Sequence, residues 1–220
     1  MSGAEPPGGS FSVMIALLHT SPVHVPVFDA LRDEDHPGVD LRHLVHEDLL
    51  ERAVAHGPGA VAQEVAEVIA GAVAGGARAV LCTCSTLGAV AEEGAGGLGV
   101  PVLRVDRPMA AEAARTGRRI VVIAALHSTL EPTAALIRAE ADAPELRTVL
   151  VEGAWERFQA GDREGYLDAV AAAVDTVRDA DVIVLAQASM ADAAERAATD
   201  VPVLSSPRPG LRAAVTAGSR

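Results

Sequence analysis

Apolar runs of four to six residues alternate along this chain with longer stretches whose apolar positions recur every three or four residues. The short runs predict buried strands and the longer stretches amphipathic helices. Residues 13–18 predict a first strand that ends in His19-Thr20-Ser21-Pro22, and Pro22 and Pro26 then punctuate a loop or helix entry. Residues 39–45 predict a second strand and 47–55 a short helix. In residues 60–74, Val61, Val65, Val68, Ile69 and Val73 make a helical stripe that Gly75-Gly76 stops. The next apolar run breaks off at Cys82-Thr83-Cys84-Ser85-Thr86, and a helix-like pattern follows from Ala89 to Glu93. Ser85 or Thr86 is a candidate cap for that helix, since a hydroxyl there accepts from its free N–H groups.

The second half continues in kind. Residues 100–103 predict a strand, and Asp106 a cap for a helix to about Arg115 with Pro108 in its first turn. Residues 119–125 predict a strand ending in Leu126-His127-Ser128-Thr129, followed by a helix with Glu131 and Pro132 in its first turn. Strands at 146–151, 181–186 and 201–204 alternate with helices at 162–178, after Met190, and at 207–217. Such alternation implies an α/β fold with parallel strands covered on both faces.

Composition narrows the picture. Half of the 220 residues are apolar but only 2% are aromatic, so the core is aliphatic. Trp155 and Phe158 hold much of the scarce aromatic bulk and are expected in it. A net charge of -12 argues against nucleic acid and anionic membrane surfaces as partners. No apolar run is long enough to span a bilayer. Residues 1–10 lack the basic and apolar parts of a signal peptide and read as a disordered tail.

The two cysteines, Cys82 and Cys84, are one residue apart. On an extended strand their side chains run nearly parallel, so a disulfide between them is disfavoured and a reducing, cytoplasmic setting is expected. Cys-x-Cys lacks the further spaced ligands of a zinc site. His43, His46 and Glu47 offer a metal site or a solvated strand end, and the segment does not read as a helix that would align them. Cys82, inside the apolar run, reads as core. Cys84 stands among hydroxyls at a strand's carboxyl end, where α/β sites lie, and reads either as core or as a functional thiol.

The chain also repeats itself. Residues 15–20, IALLHT, match residues 123–128, IAALHS, at an offset of 127 minus 19, or 108. Residues 80–84 lie on residues 183–187 at an offset of 187 minus 84, or 103, and both runs are followed by Val-Pro-Val-Leu. Two homologous α/β lobes follow, with the active site expected in the cleft between them. In that overlay His19 faces His127, and Cys84 faces Gln187. Either histidine reads as a loop-end residue bonded to backbone or as a site residue.

At these residues the chain resembles the aspartate/glutamate/hydantoin racemase superfamily. Cys84-Ser85-Thr86 is similar to the family's Cys-Asn-Thr, and Leu126-His127-Ser128-Thr129 resembles its second-lobe segment ending in threonines. Leu185-Ala186-Gln187-Ala188 stands where the family has Leu-Gly-Cys-Thr. The resemblance covers residues 13–217. It implies two pseudo-symmetric lobes, with the last helix crossing back onto the first: 11–105 plus 203–220 against 106–202. It implies a cofactor-independent enzyme acting on a small carboxylate or cyclic amide, in which one thiol per lobe flanks an acidic carbon. It leaves a homodimer open. A thiol near a helix N-terminus is expected to have a lowered pKa.

Gln187 departs from that pattern, because an amide does not exchange a proton near neutral pH. Cys84 is then the acid/base, with His127 as a candidate second one and Gln187 as a donor to a carboxylate or oxyanion. Thr83, Ser85, Thr86, Ser128 and Thr129 are expected to bind carboxylate oxygens, with His19 and Thr20 beside them and Ala188 and Ser189 on the far wall. Racemase or epimerase competes with a one-base decarboxylase or isomerase. Outside catalysis, a two-lobe carboxylate-binding protein is the alternative.

Overall fold

A computed structural model describes residues 13–220. The expected tail at 1–10 lies outside the described residues. The first lobe runs β1 (Met14–His19), α1 (His24–Asp35), β2 (Asp40–Val45), α2 (Glu47–His56), α3 (Ala62–Ala74), β3 (Ala79–Cys82), α4 (Gly88–Glu93) and β4 (Val102–Arg104). The second lobe runs α5 (Arg107–Thr116), β5 (Arg119–Ala124), α6 (His127–Glu140), β6 (Glu145–Leu150), α7 (Ala154–Gln159), α8 (Arg163–Asp175), β7 (Val182–Leu185) and β8 (Val203–Leu204). The chain closes with α9 (Pro207–Gly218).

Each lobe has a four-stranded parallel sheet, in the orders β2-β1-β3-β4 and β6-β5-β7-β8. The two orders correspond strand for strand. Parallel strands buried on both faces need near-continuous apolar runs. β3 and β7, fully buried as AVLC and VIVL, supply them.

The helices cross between lobes in both directions. α5 leaves the first sheet and packs Met109, Ala110 and Ala113 against Ile120, Val122 and Val184 of the second. α9 leaves the second sheet and packs Leu211 and Ala214 against Ile15, Leu17, Ala79 and Leu81 of the first. Gly210 permits that return, because a Cβ there would lie 2.5 Å from the Val105 carbonyl oxygen. Val203 and Leu204 pair with β7, so the chain leaves the second lobe after Leu204 and not at residue 203. The other faces bury Val65, Ile69 and Leu49 in the first lobe, and Tyr166, Leu167 and Val170 in the second.

Several local expectations are corrected. Met14 pairs with Asp40 and Arg119 with Glu145; 119 minus 14 and 145 minus 40 both give 105. At that offset His19 lies over Ala124, not over His127. The similar strings IALLHT and IAALHS are therefore three residues out of structural register. α6 begins at His127, a turn earlier than Glu131, and takes Pro132 into its interior. Asp106 makes no capping bond to α5, because its carboxylate is held by Arg104. Neither Ser85 nor Thr86 caps α4, whose flanking residue is Leu87. Residues 188–195 form a 3-10 helix and not an α-helix. Trp155 and Phe158 are only partly buried, stacked with ring centroids 4.9 Å apart at the edge of the cleft.

Candidate active site

The loops after β3 and β7 meet between the lobes. On the first-lobe side, β3 delivers residues 83–87. Backbone bonds from Thr83 N to the Leu18 oxygen (3.0 Å) and from Leu87 N to the Cys84 oxygen (3.1 Å) fix the turn. The Cys82 thiol donates to the Cys84 carbonyl at 3.6 Å, so the buried cysteine supports the loop that carries the other. Both thiols are free. Arg104 lies beneath the same loop. It makes bonds of 2.6 and 2.9 Å to the Asp106 carboxylate and reaches the Ser85 carbonyl at 3.5 Å. Gly88 is required there, because a Cβ would come within 2.8 Å of the guanidinium.

Two contacts tie the loop to the opposite lobe. Ser85 Oγ donates to the Ala186 carbonyl at 2.9 Å, and Thr86 Oγ1 lies 3.5 Å from Ser128 Oγ. Gln187 stands at the second-lobe position equivalent to Cys84. Its Oε1 accepts from Ala125 N at 2.7 Å and Leu126 N at 3.1 Å, which holds the turn into α6. Its NH2 is left as the donor. Ser189 is bonded to Tyr166 through the two hydroxyls at 2.8 Å.

These walls enclose a space of about 40 Å3 over Cys84, lined by Thr20, Ser21, His24, Thr83, Ser85, Thr86, Leu126, Thr129, Gln187, Ala188 and Ser189 with Trp155 and Phe158. It is large enough for a carboxylate-sized group, since one water needs roughly 10–15 Å3 by the same measure. Burial pushes the Cys84 thiol up, opposed by hydrogen bonds from the Thr20 hydroxyl, the Leu87 and Thr86 N–H groups and the Thr86 hydroxyl. The expected lowering is therefore reversed in sign. α4 starts at Gly88, beyond the thiol, so desolvation outweighs the donors. Burial pushes Cys82 up as well, and its side chain has no exposure.

The histidines are arranged differently from the sequence expectation. His19 is fully buried behind the site. Its Nδ1 lies 2.8 Å from Thr83 Oγ1, which itself donates to the Leu18 carbonyl at 3.1 Å. The hydroxyl proton is thus committed, and His19 Nδ1 is the donor to Thr83. His19 Nε2 then accepts from His43 Nδ1 at 2.8 Å, and His43 Nε2 lies 3.4 Å from Asp29. Burial, helped by His24 and His43, lowers the His19 pKa to about 3, so it is neutral. The Thr83 hydroxyl consequently faces this chain and not the cleft as a free donor. His127 is exposed at the start of α6 and lies outside the lining of the Cys84 space. Ser128 touches the site only through Thr86.

The histidine that does line it is His24, the first residue of α1. Burial lowers its pKa to about 4. His24 is not among the residues expected there, nor are Arg104 and Tyr166, and the aromatic pair expected in the core borders the space instead. A signal existed: His24 and His127 each open the helix after their lobe's first strand. His43 and His46 form no metal group, and among the described residues no cluster of three or more His, Cys, Asp or Glu is placed to hold a metal ion. Among the same residues no helix is long and apolar enough to cross a membrane.

Known proteins agree with this architecture. Glutamate racemase from Thermus thermophilus, solved with beta-chloro-D-alanine, superposes with a TM-score of 0.72 at 20% identity, over 94% of this chain and 80% of that one. Glutamate racemase isoform RacE1 from Bacillus anthracis gives 0.72 at 17% identity, over 94% and 81%. Arylmalonate decarboxylase gives 0.61 at 19% identity, over 93% and 92%. At these identities the likeness is one of fold. No curated protein matches the chain in sequence. The profile of the family Asp/Glu/Hydantoin racemase matches residues 24–214, from the first residue of α1 into α9 and so through both lobes, and the chain belongs to that family.

Proposed function

We propose that the protein is an enzyme that moves a proton, on one face only, at the carbon next to a carboxylate, with Cys84 as the acid/base. The observation that carries this reading is the asymmetry of the two wall residues. Cys84 is a free, half-buried thiol in the cleft, and the equivalent Gln187 is an amide already tied to two backbone N–H groups. The substrate carboxylate is received by neutral donors: the Thr86 N–H, the hydroxyls of Thr20, Thr86 and Thr129, and the Gln187 NH2. The same donors stabilise charge that moves onto the carboxylate oxygens when the neighbouring carbon becomes a carbanion.

A thiol raised above its ordinary value is protonated near neutral pH and acts most readily as the proton donor. The reading therefore favours delivery of a proton to a carbanion, as after loss of carbon dioxide. In that step the C–C bond breaks and leaves its electron pair on the carbon, carbon dioxide departs, and the S–H proton joins the carbon. Solvent then reprotonates the thiolate. Full racemisation needs an acid on the opposite face, and Gln187 is none.

The test is carbon-bound deuterium uptake from deuterated water by candidate acids, and carbon dioxide release from their malonate forms, for wild type and Cys84→Ala. Uptake or release that depends on Cys84 and yields one enantiomer supports the reading. Uptake that persists without Cys84 overturns it. Tight binding of carboxylates without turnover of any kind makes the protein a binding protein.

A further inference from the structure

Beside the space over Cys84 lies a second compartment of about 220 Å3. The two share His24, Phe158, Ala188 and Ser189, so they adjoin within one cleft. Beyond the shared residues the second compartment is lined by Val23 and Val27 of α1 and by Tyr166 of α8. Apart from His24, which burial holds neutral, its polar side chains are paired. The Tyr166 and Ser189 hydroxyls bond each other at 2.8 Å, and Arg163 at its edge is paired with Asp192. All 18 basic residues of the chain are arginines, and none lines the space over Cys84. A second carboxylate would be buried here with no free cation, which is strongly disfavoured. An apolar substituent meets no such cost. Size agrees, because an apolar cavity of about 150 Å3 already accommodates benzene. Val23, an apolar side chain 47% exposed at the rim, gains cover when the compartment is filled.

We propose that this compartment is a subsite for an uncharged apolar or aryl substituent on the substrate, and not for an acidic side arm. The proposal rests on the carboxylate-and-thiol reading for its orientation, with the carboxylate at Cys84 and the substituent toward Tyr166.

Trp155, the only tryptophan, borders the space over Cys84, so its fluorescence reports occupancy. Wild type is titrated with propionate, 3-phenylpropionate and glutarate. The expected order is 3-phenylpropionate at least roughly tenfold tighter than propionate, with glutarate no tighter than propionate. Val27→Phe, which fills the compartment from α1, is expected to erase most of the phenyl advantage. Equal affinity for the three acids, preference for glutarate, or an unchanged phenyl advantage in folded Val27→Phe would overturn the proposal. The wild-type series decides alone should that variant fail to fold. Deuterium exchange on the same acids separates the two readings. If no acid exchanges, the thiol chemistry fails while the affinity series still judges the subsite. If glutarate exchanges faster than 3-phenylpropionate, the subsite fails and the thiol chemistry stands.

Discussion

The two lobes share a strand order and a ladder register, yet only one carries a thiol at its central loop. In the first lobe β3 ends in a thiol supplied with donors from Thr20, Thr86 and Leu87, over the buried Arg104–Asp106 pair. In the second lobe β7 ends in Gln187, which turns its oxygen inward to hold its own loop. Carrying the β4 and β8 registers one residue further places Ser205 at the position of Arg104. The difference shows how a duplicated scaffold becomes one-sided. The sheets need only apolar side chains of suitable shape, so they stay alike, while the loops at their carboxyl ends are free to diverge.

The sharpest way to break the comparison is to remove its active half. Cys84→Ala should lower proton transfer by about two to four orders of magnitude, measured as deuterium incorporation per enzyme. The folded protein's alkylation by iodoacetamide should disappear with it, since Cys82 has no exposure. Rapid labelling at Cys82, seen by mass mapping, would reverse the assignment.

Arg104→Leu tests what supports the first loop. It leaves the wholly buried Asp106 carboxylate unpaired. The expected loss is about 3–5 kcal/mol in denaturant unfolding, together with faster Cys84 alkylation, because a loosened loop exposes the thiol and relieves its desolvation. A change at Ser205 in the second lobe, Ser205→Ala, should cost far less.

Gln187→Cys makes the lobes chemically more alike. It removes the acceptor of Ala125 N and Leu126 N, so a loss of about 1–3 kcal/mol is expected. Against that loss, the chirality of the recovered acid should move toward the racemate. Wild type that already racemises as fast as it exchanges would mean that a second acid/base group operates, and His24, the histidine lining the space, would be the first to substitute.

The smallest effect concerns pH. Burial holds His19 at about 3 and His24 at about 4, both in the first lobe, against an unfolded value of 6.5. Below pH 6.5 the unfolded chain binds more protons, so stability is full above that pH and falls as pH drops toward 4. Each histidine contributes a slope of up to about 1.4 kcal/mol per pH unit in that window. His24→Asn should flatten the dependence seen in urea midpoints between pH 7 and 5. An unchanged slope would mean that His24 is not held neutral.

Strand positions, the parallel α/β class and the doubled frame were all determined by the sequence alone, because buried parallel strands demand short apolar runs and each lobe had to meet the same demand. The loop at Cys84 was legible for the same reason, since the run ends abruptly among hydroxyls. What only the tertiary structure decided is which side chains meet there. Similar strings set His19 against His127, but hydrogen-bonded ladders define equivalence, and the ladders place His19 over Ala124. His19 then turns away from the cleft to Thr83 and His43, and His24 takes the wall. The thiol's upward shift was equally invisible, because it depends on how much water the folded surroundings remove. Asp106 reads as a cap in the sequence and Arg104 carries no mark there, yet the fold buries the two together. Local pattern records what each segment buries, whereas side-chain partners and desolvation depend on residues far away in the chain.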